Sequence, residues 1–224
     1  MMTKFIFNTC GAQHGESHHA PDHCEICEDD HQYVGWEGQK WTTHEELAEH
    51  HEQRIEIEED LLAIGIKPAF AIDQRAFLLP TDVGNILWES VSLVAQEAID
   101  AINKCGGLDR IIISHPHFYS SMGVWSDAFG GVEILIHEAD KQWVQCPHPS
   151  INFWSGDDLA LSDSVTLIRA GGTWVKLEYF DRNHYAENET QLDTNTQPTF
   201  VEVLKRTLPE QEVLATEAEQ LYEV

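Results

Sequence analysis

Arg110-Ile111-Ile112-Ile113-Ser114-His115-Pro116-His117-Phe118-Tyr119-Ser120-Ser121-Met122 is the stretch on which the fold turns. Three consecutive isoleucines make a β-branched run of the kind found in a strand buried on both faces. The run ends in polar residues and a proline, so the chain leaves the sheet at Ser114. Side chains two apart on an extended segment point to the same side, which would place the imidazoles of His115 and His117 together. Loops at the carboxyl ends of strands in α/β sheets are where ligands usually sit. Two imidazoles there can hold a zinc ion. Surface or structurally satisfied histidines are the alternative, since the chain carries 13 histidines.

Outward from this stretch the pattern alternates. Upstream, Ala76–Leu79 and Asn85–Trp88 flank Pro80-Thr81-Asp82-Val83-Gly84, a β-hairpin signature. Apolar positions from Leu93 to Cys105 predict a helix stopped by Gly106-Gly107. Downstream, Ser120 or Ser121 would cap a helix running through Phe129. Val132–Ile136 reads as a strand, Ala139–Gln145 as a short helix, and Val165–Ile168 as the last strand. Strands alternating with helices imply an α/β layer. Residues 69–172 are therefore read as the main domain. Residues 39–68 are read as an acidic helical connector, with Thr43 opening a capping box and the helix continuing to about Asp60. Residues 173–224 form an acidic tail with two predicted helices, Phe200–Leu208 and Glu210–Tyr222, after a loop at Asn183–Pro198.

The 224 residues are 42% hydrophobic, sufficient for a packed core. Against 13 Lys+Arg stand 39 Asp+Glu, a formal charge of −26. Such a surface repels phosphate backbones and anionic lipid, so neither nucleic acid nor membrane is expected as a partner. Met1 to Cys10 lacks the apolar run and cleavage site of a signal peptide, and no segment is long and apolar enough to span a bilayer. A cytoplasmic location is the expectation. Clustered cysteines there suggest metal more than disulfides.

Those cysteines are Cys10, Cys24 and Cys27, in a segment (residues 1–38) rich in His, Gly and Asp that reads as a loop-rich knuckle. Cys24-Glu25-Ile26-Cys27 is a Cys-x-x-Cys. Three thiolates need a fourth donor for tetrahedral zinc, and His14, His18, His19 and His23 are all candidates. Free thiols in a decayed knuckle are the alternative. Trp36, Trp41, Trp125, Trp143 and Trp154 are assigned to packing. Ser114, Ser120 and Ser121 lie in no Gly-x-Ser-x-Gly elbow, so turn and capping roles are expected.

The segment Ile113–Met122 resembles a subgroup of metallo-β-lactamase-fold hydrolases. So do Ile136-His137-Glu138-Ala139-Asp140-Lys141-Gln142-Trp143, Phe153-Trp154-Ser155-Gly156-Asp157 and Leu167-Ile168-Arg169-Ala170-Gly171-Gly172, in order. The resemblance runs from about Thr9 to Gly172 and implies an αββα sandwich with metal at its mouth. It further implies hydrolysis of an ester, thioester, amide or phosphodiester by metal-activated water. Related proteins usually carry a paired Cys-x-x-Cys at the knuckle, where this chain has Phe7 in Phe7-Asn8-Thr9-Cys10.

The chain also departs from the superfamily's His-x-His-x-Asp-His: Tyr119 and Ser120 stand in the Asp and second His places. Thr173 stands where a histidine would follow the Gly-Gly turn, and the tail does not resemble the second αβ half. The fold expected is thus α/β, a partial metallo-β-lactamase-like sandwich with a Cys/His knuckle and a helical tail. His115 and His117 are the expected zinc ligands, with His137 or Asp140 helping and His184 as a remote candidate. Tyr119 is the candidate oxyanion donor. Incomplete ligands make it a metal-binding protein of hydrolase ancestry, with partial Zn2+ occupancy. The alternative is an active mononuclear zinc hydrolase acting on a small-molecule ester or thioester. Half a sandwich exposes an apolar sheet face, so self-association is expected.

Overall fold

The computed structural model describes residues 2–29, 38–169 and 175–179. In chain order its elements are β1 (Thr3–Phe7), β2 (Gln13–Ser17), α1 (Glu25–Asp29), β3 (Trp41–Thr42), α2 (His44–His50), β4 (Glu52–Glu58), β5 (Leu61–Lys67), β6 (Ala76–Thr81) and β7 (Gly84–Trp88). They continue with α3 (Gln96–Lys104), β8 (Arg110–Ile112), α4 (Met122–Ala128), β9 (Glu133–His137), β10 (Ile151–Trp154), β11 (Asp158–Ala160), β12 (Val165–Arg169) and β13 (Val175–Tyr179). Two 3-10 turns, Pro116–Phe118 and Glu138–Trp143, follow β8 and β9.

The fold is α/β. Seven strands form one sheet in the order β10-β9-β8-β7-β6-β5-β4. The β7–β8, β8–β9 and β9–β10 pairs are parallel, and β4 to β7 are antiparallel. Parallel neighbours need a crossover, which α3 supplies between β7 and β8 and α4 between β8 and β9.

Both faces of the central strands are buried, and alternation along them divides their side chains between two cores. Leu87, Ile111, Ile113, Ile134 and Ile136 pack with Ala98 and Ile102 of α3 and Met122 and Trp125 of α4. The residues between them, Ile86, Trp88, Ile112 and Leu135, pack with Trp154, Val165 and Leu167 on the other side. There β11, β12 and β13 form a second, antiparallel sheet. The triple isoleucine is thus apolar throughout because it serves both layers. The third sheet, β2-β1-β3, carries the cysteine segment.

Several local expectations change. Thr43 does open a capping box with Glu46, but the helix ends at His50, whose successor His51 is extended. Glu52-Gln53-Arg54-Ile55-Glu56-Ile57-Glu58 then pairs along its whole length with β5. Its period of two, with Ile55 on the core side, outweighs the helix propensity of glutamate. The knuckle is less loop-like than expected, holding β1, β2 and α1. Val165–Ile168 is not the last strand, since β13 pairs with β12 from Val165↔Tyr179 to Arg169↔Val175. Ser121 takes the N-cap position of α4, yet its hydroxyl goes to Ser92 O at 2.6 Å instead of capping. Trp125 and Trp154 pack as expected: Trp125 is fully buried, donating to Val91 O at 3.0 Å, and Trp154 joins the second core. Trp36, Thr173, His184 and the two tail helices lie outside the described residues.

Candidate metal and histidine site

At the carboxyl end of β8 the chain turns sharply. His115 is extended, and Pro116 opens the 3-10 turn that carries His117. The two histidines meet, but through this turn and not along an extended strand. His115 Nδ1 accepts from the backbone N–H of His117 at 3.3 Å, and the two Nδ1 atoms are 3.1 Å apart. The rings stack with centroids 4.7 Å apart. Because His115 Nδ1 already accepts an amide proton, the proton of the Nδ1···Nδ1 contact belongs to His117. Both residues are buried.

Tyr119 closes the turn. Its ring is fully buried and its hydroxyl has no hydrogen-bond partner among the described residues. Burial raises its pKa well above the usual tyrosine value, and the carboxylates of Asp140 and Glu89 add to this. The hydroxyl therefore keeps its proton, within electrostatic reach of both acids.

Asp140 is also buried, on the 3-10 turn after β9. Burial pushes its carboxyl up to about 6, against the opposing pull of His137 and Arg169. His137 is placed differently from the expectation of a third ligand. Its Nδ1 accepts from Ala139 N at 3.2 Å and its Nε2 lies 3.0 Å from Gly156 O. Both ring nitrogens thus serve the backbone, with the ring edge-on to Trp154. Among the described residues, His115 and His117 gather no third ligand atom within 4.8 Å of both; the group of three that does converge is Cys10, Cys24 and Cys27.

Two residues of this region escaped the sequence reading. Glu89 follows β7 directly, in the register that places Trp88 beside Ile112 of β8. It is fully enclosed and has a positive φ of 68°, a conformation few non-glycine residues adopt. Burial pushes its carboxyl up to about 8, although the backbone N–H and hydroxyl of Ser114 both donate to it. An acid directly after an apolar strand was the available signal. Gln74 offered none: it lies in the loop before β6, yet its buried amide joins the cysteine loop to the histidine turn.

No family model matches the chain. It is 43% identical over 174 residues to the uncharacterized protein YmaE of Bacillus subtilis (strain 168), covering 76% of this chain and 63% of that one. The chain thus spans just under two thirds of the length of that relative. Among solved structures it is similar to DIM-1 metallo-β-lactamase (TM-score 0.45, 14% identity, 57% of this chain and 65% of that one). It is also similar to a metallo-β-lactamase from Hirschia baltica (TM-score 0.43, 14% identity, 57% and 66%). A third is the mono-zinc form of FIM-1 from Pseudomonas aeruginosa (TM-score 0.42, 9% identity, 56% and 63%). No helix among the described residues is long and apolar enough to cross a membrane.

Proposed function

We propose that this chain is a metal-binding protein of metallo-β-lactamase-like hydrolase ancestry whose histidine site is incomplete for catalysis. The observation that carries the reading is the pair of Nδ1 atoms 3.1 Å apart at the end of a central strand. That spacing is close to the edge of a zinc tetrahedron, about 3.3 Å for Zn–N bonds of about 2.0–2.1 Å, and an ion held there would displace the Nδ1 proton of His117 and the amide hydrogen bond to His115 Nδ1. Two imidazoles fit the chemistry of zinc. They do not make up the three protein ligands of a catalytic zinc, because His137 is engaged with the backbone and Asp140 does not converge with them. The ordered resemblance of Ile113–Met122 and Ile136–Trp143 to metallo-β-lactamase-fold hydrolases supports the ancestry.

One observation favours the second reading, an active mononuclear zinc hydrolase acting on an ester or thioester. Tyr119 carries a buried, protonated hydroxyl, unpartnered among the described residues and within electrostatic reach of Asp140 and Glu89. Such a donor suits a developing oxyanion. Zinc bound there would supply Lewis acidity.

Metal analysis of the purified chain and of His115→Ala and His117→Ala, with a screen of thioester and ester substrates, separates the two. Weak zinc binding beyond any ion held by the cysteines, lost in both variants and with no zinc-dependent turnover, is expected. Zinc-dependent hydrolysis abolished by His115→Ala would establish the enzyme reading instead.

A further inference from the structure

A second donor set lies in the three-stranded sheet, independent of the histidine pair. Cys10, Cys24 and Cys27 are buried, with their sulfurs within 4.8 Å of one another. Cys10 Sγ and Cys24 Sγ are 3.9 Å apart. A disulfide needs about 2.0 Å. The edge of a zinc–thiolate tetrahedron is about 3.8 Å, given Zn–S bonds of about 2.3 Å. The backbone is shaped around these sulfurs. Gly11, at φ +79°, turns the chain back so that Ala12 N–H donates to Cys10 Sγ at 3.5 Å. Cys24 and Cys27 are held by α1, and Gln39 Oε1 accepts from Cys24 N at 2.6 Å.

Of the four histidines that the sequence offers as a fourth ligand, His18, His19 and His23 are exposed and only His14 is buried. His14 reaches Cys24 closely enough to act on its sulfur. Its ring is held edge-on against Trp41, centroids 4.7 Å apart, and its buried Nε2 has no hydrogen-bond partner among the described residues. At 7% exposure such a nitrogen calls for a ligand.

We propose that Cys10, Cys24, Cys27 and His14 bind one Zn2+ as a Cys3His site. His14 stands on the Cys24 side, outside the 4.8 Å convergence of the three sulfurs, and its ring leaves Trp41 to close the tetrahedron. The role is structural. Carbonyls of this loop are tied to the histidine turn, through Gln74 to Cys10 O and His117 O, and Gln13 N–H donates to Tyr119 O at 3.1 Å. The ion thereby braces the turn that carries His115 and His117.

The test uses the full chain, reduced and reconstituted with Zn2+ or Co2+. Metal stoichiometry, thiol reactivity and the Co2+ absorption spectrum are compared for the parent, Cys24→Ser, His14→Ala, His14→Cys, His18→Ala, His19→Ala, His23→Ala and the double variant His115→Ala/His117→Ala. One ion is expected that protects three thiols, survives the double variant and shows thiolate-to-cobalt charge transfer. His14→Ala should weaken it beyond the roughly 10–100-fold typical of outer-shell changes and alter the Co2+ bands. His14→Cys should restore tight binding with a four-thiolate spectrum, and the other three histidine variants should match the parent. Parent-like affinity and spectrum in His14→Ala would overturn the assignment of His14. Three freely reactive thiols in the metal-loaded parent would overturn the site itself, whether or not any variant folds.

Discussion

Gln74 donates from Nε2 to the main-chain oxygen of His117, 2.9 Å away across 43 residues of sequence. The same nitrogen donates to Cys10 O at 2.8 Å, and its Oε1 accepts from Ser92 N at 3.2 Å. Ser92 Oγ lies 2.8 Å from Gln74 Oε1 and 2.9 Å from Gly11 O, and gives its single proton to one of them at a time. One buried amide thus saturates three backbone groups of three separate loops. Replacing it with leucine leaves those groups buried without partners, at about 1–3 kcal/mol each where no water enters. Gln74→Leu is expected to lower the urea midpoint markedly without changing the denaturant slope.

Glu89 makes stability depend on pH. Its folded pKa, about 8, lies above the ordinary 4.5, so between these values the native state binds more protons than the unfolded chain. Stability contributed by the protonated carboxyl is complete below about pH 4.5, falls as pH rises, and is gone above about 8. Glu89→Gln keeps a neutral acceptor for Ser114 and should remove the decline. Thermal melts from pH 5 to 9, in the His115→Ala/His117→Ala background so that no cation is held by the histidines, should show the variant gaining most at the alkaline end. Equal pH slopes in both proteins would contradict a neutral buried Glu89.

Tyr119→Phe separates stability from function. Removing a buried hydroxyl that has no partner among the described residues should be neutral or stabilising by up to about 1–3 kcal/mol. Calorimetry reads this directly. A clear loss of stability would mean that the hydroxyl is satisfied in solution. Should the protein prove to be a hydrolase, the same variant should lose turnover while gaining melting temperature.

The two-sided sheet makes a paired prediction. Ile111 faces the helices and Ile112 the second sheet, and both are fully buried. Ile111→Ala and Ile112→Ala should each cost about 2–5 kcal/mol. A negligible cost for Ile112→Ala alone would mean that β12 does not cover that face in solution.

Gly11 is a position where glycine is required. Its φ is +79°, and a Cβ there would run into Ser92 Oγ and the Gln74 amide. Gly11→Ala should destabilise the chain and, because it distorts the turn after Cys10, weaken cobalt binding at the cysteines in the same preparation.

The sequence alone carried the α/β class, the β6–β7 hairpin, the β8 strand with histidines at its end, and the cysteine trio. Each is encoded in a few consecutive residues by periodicity, turn chemistry or residue type. Tertiary structure decided the rest. Glu52–Glu58 became a strand because β5 was there to pair with it, whereas its acidic composition also suits a helix. His14 was separated from His18, His19 and His23 only by burial, and His137 was drawn to the backbone by Gly156 and Ala139. Gln74 and Glu89 acquire their roles from partners 18 to 64 positions away, which no local pattern records. The physical reason is that strand pairing and burial are set by contacts between distant segments, while the chain's local chemistry states only which contacts each residue is able to make.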